Sequence, residues 1–125
     1  MKLNIVHIFL SLIVFVSCQE NVNSPSKIDK LPPIYPDYVG VTVPATIAPL
    51  NFSFPDETFD RVDVVVKGKK GNEIHVNGDA ISFSSSEWRS LLESNKGDSV
   101  LVTVCLKQNG NWKQYKPFPI YISKY

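Results

Sequence analysis

An all-β fold is expected from this chain: an immunoglobulin-like antiparallel β-sandwich of seven or eight short strands with one short helix. Three observations point to it. Apolar and polar residues alternate in runs such as Leu50-Asn51-Phe52-Ser53-Phe54. Turn signals, Gly68 to Asn72, Asn77-Gly78 and Asn109-Gly110, recur at short spacing. Only one stretch carries helical spacing. Short alternating runs separated by Gly, Asn and Pro are the pattern of antiparallel sheets, because side chains of a strand point to opposite faces in turn. A small β-barrel fits the same pattern.

The elements follow in order. Tyr38 to Val43 reads as a first strand stopped by Pro44, and Leu50 to Phe54 as a second stopped by Pro55, since proline cannot donate to a ladder. Phe59 to Lys67 is a longer β-branched run. After the Gly68 to Asn72 turn, Glu73 to Val76 returns, and Ala80 to Phe83 follows the next turn. Ser84 and Glu87 have capping-box spacing, in which hydroxyl and carboxylate each satisfy an amide of the first turn. Trp88, Leu91 and Leu92 then fall on one helical face, and Gly97 is a stop, so Ser85 to Ser94 should be a helix that Trp88 packs onto a sheet. Val100 to Lys107 is the strongest strand. Asn109-Gly110 is a two-residue hairpin turn, Asn111 to Tyr115 pairs back, and Phe118 to Ser123 closes the chain.

The first residues read differently. Residues 1–17 carry Lys2 and then an apolar run from Ile5 to Val16 broken by His7 and Ser11. A positive start and an apolar run of about 12 residues form a secretory signal, shorter than the roughly 20 residues a membrane span needs. Residues 18–33 form a tether, rich in Asn, Ser and Lys and with little to bury, and are expected to be flexible up to the prolines at 32, 33 and 36. Residues 34–125 form the sandwich domain.

Phe15-Val16-Ser17-Cys18 resembles a bacterial lipobox, with Phe15 where Leu is usual. That resemblance implies cleavage before Cys18, a diacylglycerol on its sulfur and an acyl chain on its amine. Each buried CH₂ contributes about 0.8 kcal/mol and a single chain holds only marginally, so several chains on one cysteine give stable anchoring. Gln19 after the cysteine implies transfer to an outer membrane, in either orientation. A covalent lipid on Cys18 is then the only attached group expected, and the membrane is reached through it.

With Cys18 acylated, Cys105 has no disulfide partner and reads as a small buried hydrophobe in a strand. The chain has two histidines, His7 and His75, and no Cys/His cluster of zinc spacing. Asp56, Glu57, Asp60 and Asp63 lack the order of a calcium loop and read as a solvated approach to a strand. Charge is balanced, with a net of +1, and there is no basic block, which excludes an electrostatic case for nucleic acid. No nucleophile elbow or phosphate loop is present, and the chain is not expected to be an enzyme. Among the aromatics, Trp112, Tyr115 and Tyr38 are the candidates for stacking on a carbohydrate or gripping a peptide.

Leu31 to Phe54, "FSSSEWRSLLESNKGDSVLVTV" and "GNWKQYKPFPIYIS" together resemble the N-terminal region of Bacteroides-type lipoproteins with a TolB-like β-propeller. In that family the chain runs on into propeller blades, often with a haem-like cysteine–histidine motif; nothing after Cys105 supplies one here. The resemblance implies an envelope location and no haem or propeller role for any residue. The expected function is a membrane-anchored lipoprotein whose sandwich acts as a spacer or protein-docking module. A carbohydrate- or peptide-binding module and a truncated remnant of a propeller lipoprotein are the alternatives.

Overall fold

The computed structural model describes residues 20–125; the expected signal segment and Cys18 lie outside the described residues. The chain is all-β and sandwich-like. Seven strands, β1 (Ser26–Lys27), β2 (Thr42–Val43), β3 (Arg61–Gly68), β4 (Ile74–Gly78), β5 (Ser99–Gln108), β6 (Asn111–Gln114) and β7 (Phe118–Ile122), share one sheet, and α1 (Ser85–Ser94) lies between β4 and β5.

The centre of the sheet is the antiparallel pair of β3 and β5, in unbroken register from Arg61 opposite Lys107 to Gly68 opposite Val100. On one side β4 pairs with β3. On the other side β5 is long enough to hold two partners, β6 at its C-terminal half and β7 at its N-terminal half. Between them Tyr115 donates its amide to the Val104 carbonyl at 3.0 Å. Three residues, Tyr115 to Pro117, there face only Thr103 and Val104, a bulge that bends the strand. The β5–β6 turn is the expected one: Asn109 and Gly110 have φ of 52° and 80°, as a primed two-residue turn requires.

Two pairings are parallel, β1 with β6 and β2 with β7, so the sheet is mixed rather than purely antiparallel. Both parallel partners come from the N-terminal third of the chain, which crosses to reach the free edges of β6 and β7. The Tyr38 to Val43 run contributes only Thr42 and Val43, because the chain turns at Gly40, φ 74°, before it extends.

The second layer of the sandwich has little ladder pairing. Leu50, Phe52 and Phe54 are buried and Asn51 and Ser53 exposed, as their alternation predicts, yet the stretch makes one isolated bridge, Ser53 with Tyr35. Ile81 and Phe83 are likewise buried without a strand. Alternation reports which side chains face an apolar layer; it does not supply an edge to pair with. These segments lie over the core face with α1. Phe52 is the hub, with ring centroids 5.8, 6.4 and 6.3 Å from Phe54, Phe83 and Phe118. Trp88 stacks 5.2 Å from Phe83 and is buried with Leu91 and Leu92, which seats the helix as expected.

The helix starts where Ser84 Oγ accepts the Glu87 amide at 3.4 Å. It ends at Asn95, a buried side chain that also ties the β3–β4 loop. Asn95 Nδ2 donates to the Leu91 and Lys70 carbonyls at 2.7 and 2.9 Å, and Oδ1 accepts the Lys70 amide at 3.3 Å. Gly68 is required for this approach, since a Cβ there would lie 2.4 Å from Asn95 Nδ2. Asn95→Ala is expected to lower the unfolding free energy by about 2–3 kcal/mol, because it removes three hydrogen bonds to backbone groups, the one to the Leu91 carbonyl at a buried site. Gly68→Ala should destabilise by pushing the same amide off its partners. Urea unfolding of the two variants and of the double variant checks this; the double variant should cost less than the sum, since both act through one amide.

Candidate functional site

Even-numbered residues of β3 and β5 from Val62 to Val66 and from Val100 to Leu106 face the core and are fully buried. The odd-numbered ones therefore face the other way, onto an outer sheet surface that carries most of the chemistry of the domain. In register, Asp63 stands beside Cys105 and Asn77, and Cys105 beside Gln114.

Asp63 is only 6% exposed, and its carboxylate is held from two sides. His75 Nε2 lies 2.5 Å from Oδ2, and Asn77 Nδ2 donates to the same oxygen at 3.0 Å. Asn77 is the junction of the network. Its Oδ1 accepts from Arg61 Nε at 3.1 Å and from the Glu20 amide at 3.2 Å, and its Nδ2 also donates to the Glu20 carbonyl at 2.7 Å. The Glu20 carboxylate takes Lys107 Nζ on both oxygens at 3.0 Å, with Arg61 Nε at 4.0 Å. A buried carboxylate needs such donors, because leaving it unpaired out of water is costly.

This network overturns the flexible tether. Residues 20–30 are fastened to the domain by the Glu20 contacts, by β1 along β6, and by the Ile28 amide on the Gln114 carbonyl and the Lys30 carbonyl on the Lys116 amide. The segment has few apolar groups, but it reaches the open edge of β6 and sets the Glu20 carboxylate against Lys107 and Arg61. Its order comes from polar pairing together with Ile28, which packs against the core.

The expected aromatic sites are not brought together. Trp112 is 7% exposed on the outer face, beside a shallow cleft of about 380 Å³ that Glu20, Asn21 and Lys107 also line. Tyr115 is 1% exposed within the core, with Lys113 Nζ 5.1 Å from its ring centre. Tyr38 is half-buried against the core. A ring that stacks on a sugar must offer a free face; Trp112 and Tyr115 are buried and Tyr38 packs partly against the core, so the three form no shared stacking platform. The acidic group also disperses: Asp63 points into the outer network, while Glu57 meets Gln108 Nε2 at 3.1 Å. Among the described residues no three metal-ligating side chains gather.

His75, Asp63 and Cys105 are neighbours, but the order is wrong for a nucleophilic triad. There the histidine stands between nucleophile and acid; here the acid stands between. Cys105 Sγ faces Gln114 Oε1 at 3.9 Å. Burial first, and the nearby Asp63 charge second, push the thiol up to about 11. It is protonated and unreactive at neutral pH.

Parity along β3 and β4 would put Arg61, Asp63 and His75 on one surface, but locally Asp63 reads as part of a solvated approach and Asn77 as a turn, whereas β4 runs on through Asn77. Glu20 has no such signal, since nothing local tells which polar residue of a loose-looking segment will find a distant cation. The chain matches no family model, no curated protein and no solved structure. Among the described residues no helix is long and apolar enough to cross a membrane.

Iodoacetamide at pH 8 is expected to modify native Cys105 far more slowly than the urea-unfolded chain. The raised thiol also links to stability. The folded state holds its proton where the unfolded state, at the ordinary value of 9.0, releases it. Stability from this group is complete below pH 9 and falls as pH rises toward 11. Comparing wild type with Cys105→Ala by urea unfolding across that range isolates it: the extra loss should vanish in the variant.

Proposed function

We propose that this chain is a lipid-anchored envelope lipoprotein, without enzymatic activity, whose sandwich domain docks a protein partner at the outer membrane. The observation that carries the reading is the join between anchor and domain. The lipobox-like Phe15-Val16-Ser17-Cys18 ends two residues before Glu20, the residue the sheet grips through Lys107, Arg61 and Asn77. A segment clamped at this point serves a protein held close to its anchor better than one reaching across a gap, so docking is favoured over a long-range spacer. Gln19 supports an outer-membrane destination, and the resemblance of residues 31–123 to the N-terminal region of propeller lipoproteins supports an envelope role. The buried, protonated Cys105 and the inverted order of His75 and Asp63 support a binding rather than a catalytic role.

The reading is tested by feeding cells an alkyne fatty acid. Wild type should take up the label and show an intact mass lacking residues 1–17 and gaining acyl groups. Cys18→Ser should take up none and keep its full length. Label on the variant, or an unacylated wild type, would remove the anchor. For docking, deletion of residues 34–125 behind an intact anchor should change at least one envelope complex on native gels; unchanged complexes count against it.

A further inference from the structure

We propose that the outer face of the sheet rests on the bilayer surface, with Leu101, Pro119 and Tyr121 meeting the lipid headgroup layer; this rests on the acylated Cys18 proposed above. The first argument is where the chain outside the described residues ends. Glu20 is fixed to this face by Lys107, Arg61 and Asn77. Two residues reach about 7 Å at full extension, so a lipid on Cys18 stays within that distance of Glu20, which this face holds.

The second argument is the apolar exposure of the same face. Leu101 and Tyr121 are 48% and 46% exposed. Leu101 stands opposite Pro119 and Ser99 opposite Tyr121 in the β5–β7 ladder, which puts the three side chains together on the odd-numbered side. A tyrosine offers an apolar ring and a polar tip, the combination found at the level of lipid headgroups.

Charge agrees. Asp63 is the one carboxylate that the strands place on this face among the described residues, and it is buried. The Glu20 carboxylate is taken by Lys107. Lys67, opposite Leu101 in the ladder, is exposed and extends the apolar patch with a cation, which suits phosphate headgroups. The acidic side chains of α1, Glu87 and Glu93, lie on the layer across the core. The strands themselves add no exposed carboxylate to this face, which lowers the cost of meeting an anionic surface; exposed Asp29 and Asp79 follow β1 and β4 at its margins.

The test places p-benzoylphenylalanine, one site at a time, in the full-length chain in cells that acylate it. Positions 101 and 121 sample the outer face; positions 35 and 89, both exposed, sample the opposite layer. After irradiation the purified chain is weighed intact. Severalfold more lipid adduct from 101 and 121 than from 35 and 89 is expected. Equal lipid adducts from both faces overturn the proposal, as do adducts of twice the chain mass, which mean a second copy on this face, or adducts with another protein. Resistance of Cys105 to alkylation confirms that each variant is folded. The same spectra report acylation of Cys18. Acylation without facial bias ends this proposal and leaves the anchor standing; a chain without acylation ends the anchor, and this proposal falls with it.

Discussion

The pairing of β3 with β5 runs for eight residues without a bulge, and everything else in the domain is arranged around it. An unbroken antiparallel register keeps the side-chain period at two along both strands. One set of positions, Val62, Val64, Val66 and their partners on β5, is delivered to a dry face. The other set, from Arg61 and Asp63 to Lys107, is delivered to a wet one. A slip of one residue would send valines to water and an aspartate and an arginine into the core. The hydrophobic and the ionic penalties therefore act in the same direction, and both enforce the observed pairing.

The dry face needs a cover, and the chain does not have enough strands to make a second full sheet. It covers the core with aromatics on extended segments and with one helix. Phe52, Phe54, Phe83 and Trp88 bring large apolar areas on short backbones, so a few anchored rings replace a ladder. The backbone of this layer still needs partners. Asn95 supplies them at the end of α1 and Asn51 does so for the Phe83 amide at 2.9 Å. Asparagine suits this work because its amide both donates and accepts.

The wet face is built on the same logic with charges. Asp63 is buried and carries His75 and Asn77; Asn77 in turn orients Arg61 and grips Glu20. Each group satisfies the next, which is the condition under which a buried polar network holds rather than weakens a fold. Its consequence for function is mechanical. A segment with too little apolar surface to order itself is held by polar bonds at Glu20 and by β1, so the domain and the residue beside its proposed anchor form one body. The Cys105 thiol inside this network is protected rather than activated, for burial and a neighbouring carboxylate both oppose the thiolate.

The local periods of the chain determined a good deal. The all-β class, the helix from Ser85 to Ser94 with its Ser84 cap, the Asn109-Gly110 turn, the long strand through Val104 and the burial of Leu50, Phe52 and Phe54 all follow from spacing, because period and turn chemistry act between near neighbours. Tertiary structure alone decided which alternating segments found an edge. Leu50 to Phe54 and Ala80 to Phe83 have the right pattern but cover the core without a ladder, while Ser26 and Lys27, with no pattern at all, pair with β6. It also decided that Trp112 and Tyr115 are covered and that Glu20 is fixed. Pairing partners, covering segments and distant counter-ions are chosen by the geometry of the assembled sheet, and no stretch of sequence carries the position of a neighbour that is 87 residues away, as Lys107 is from Glu20.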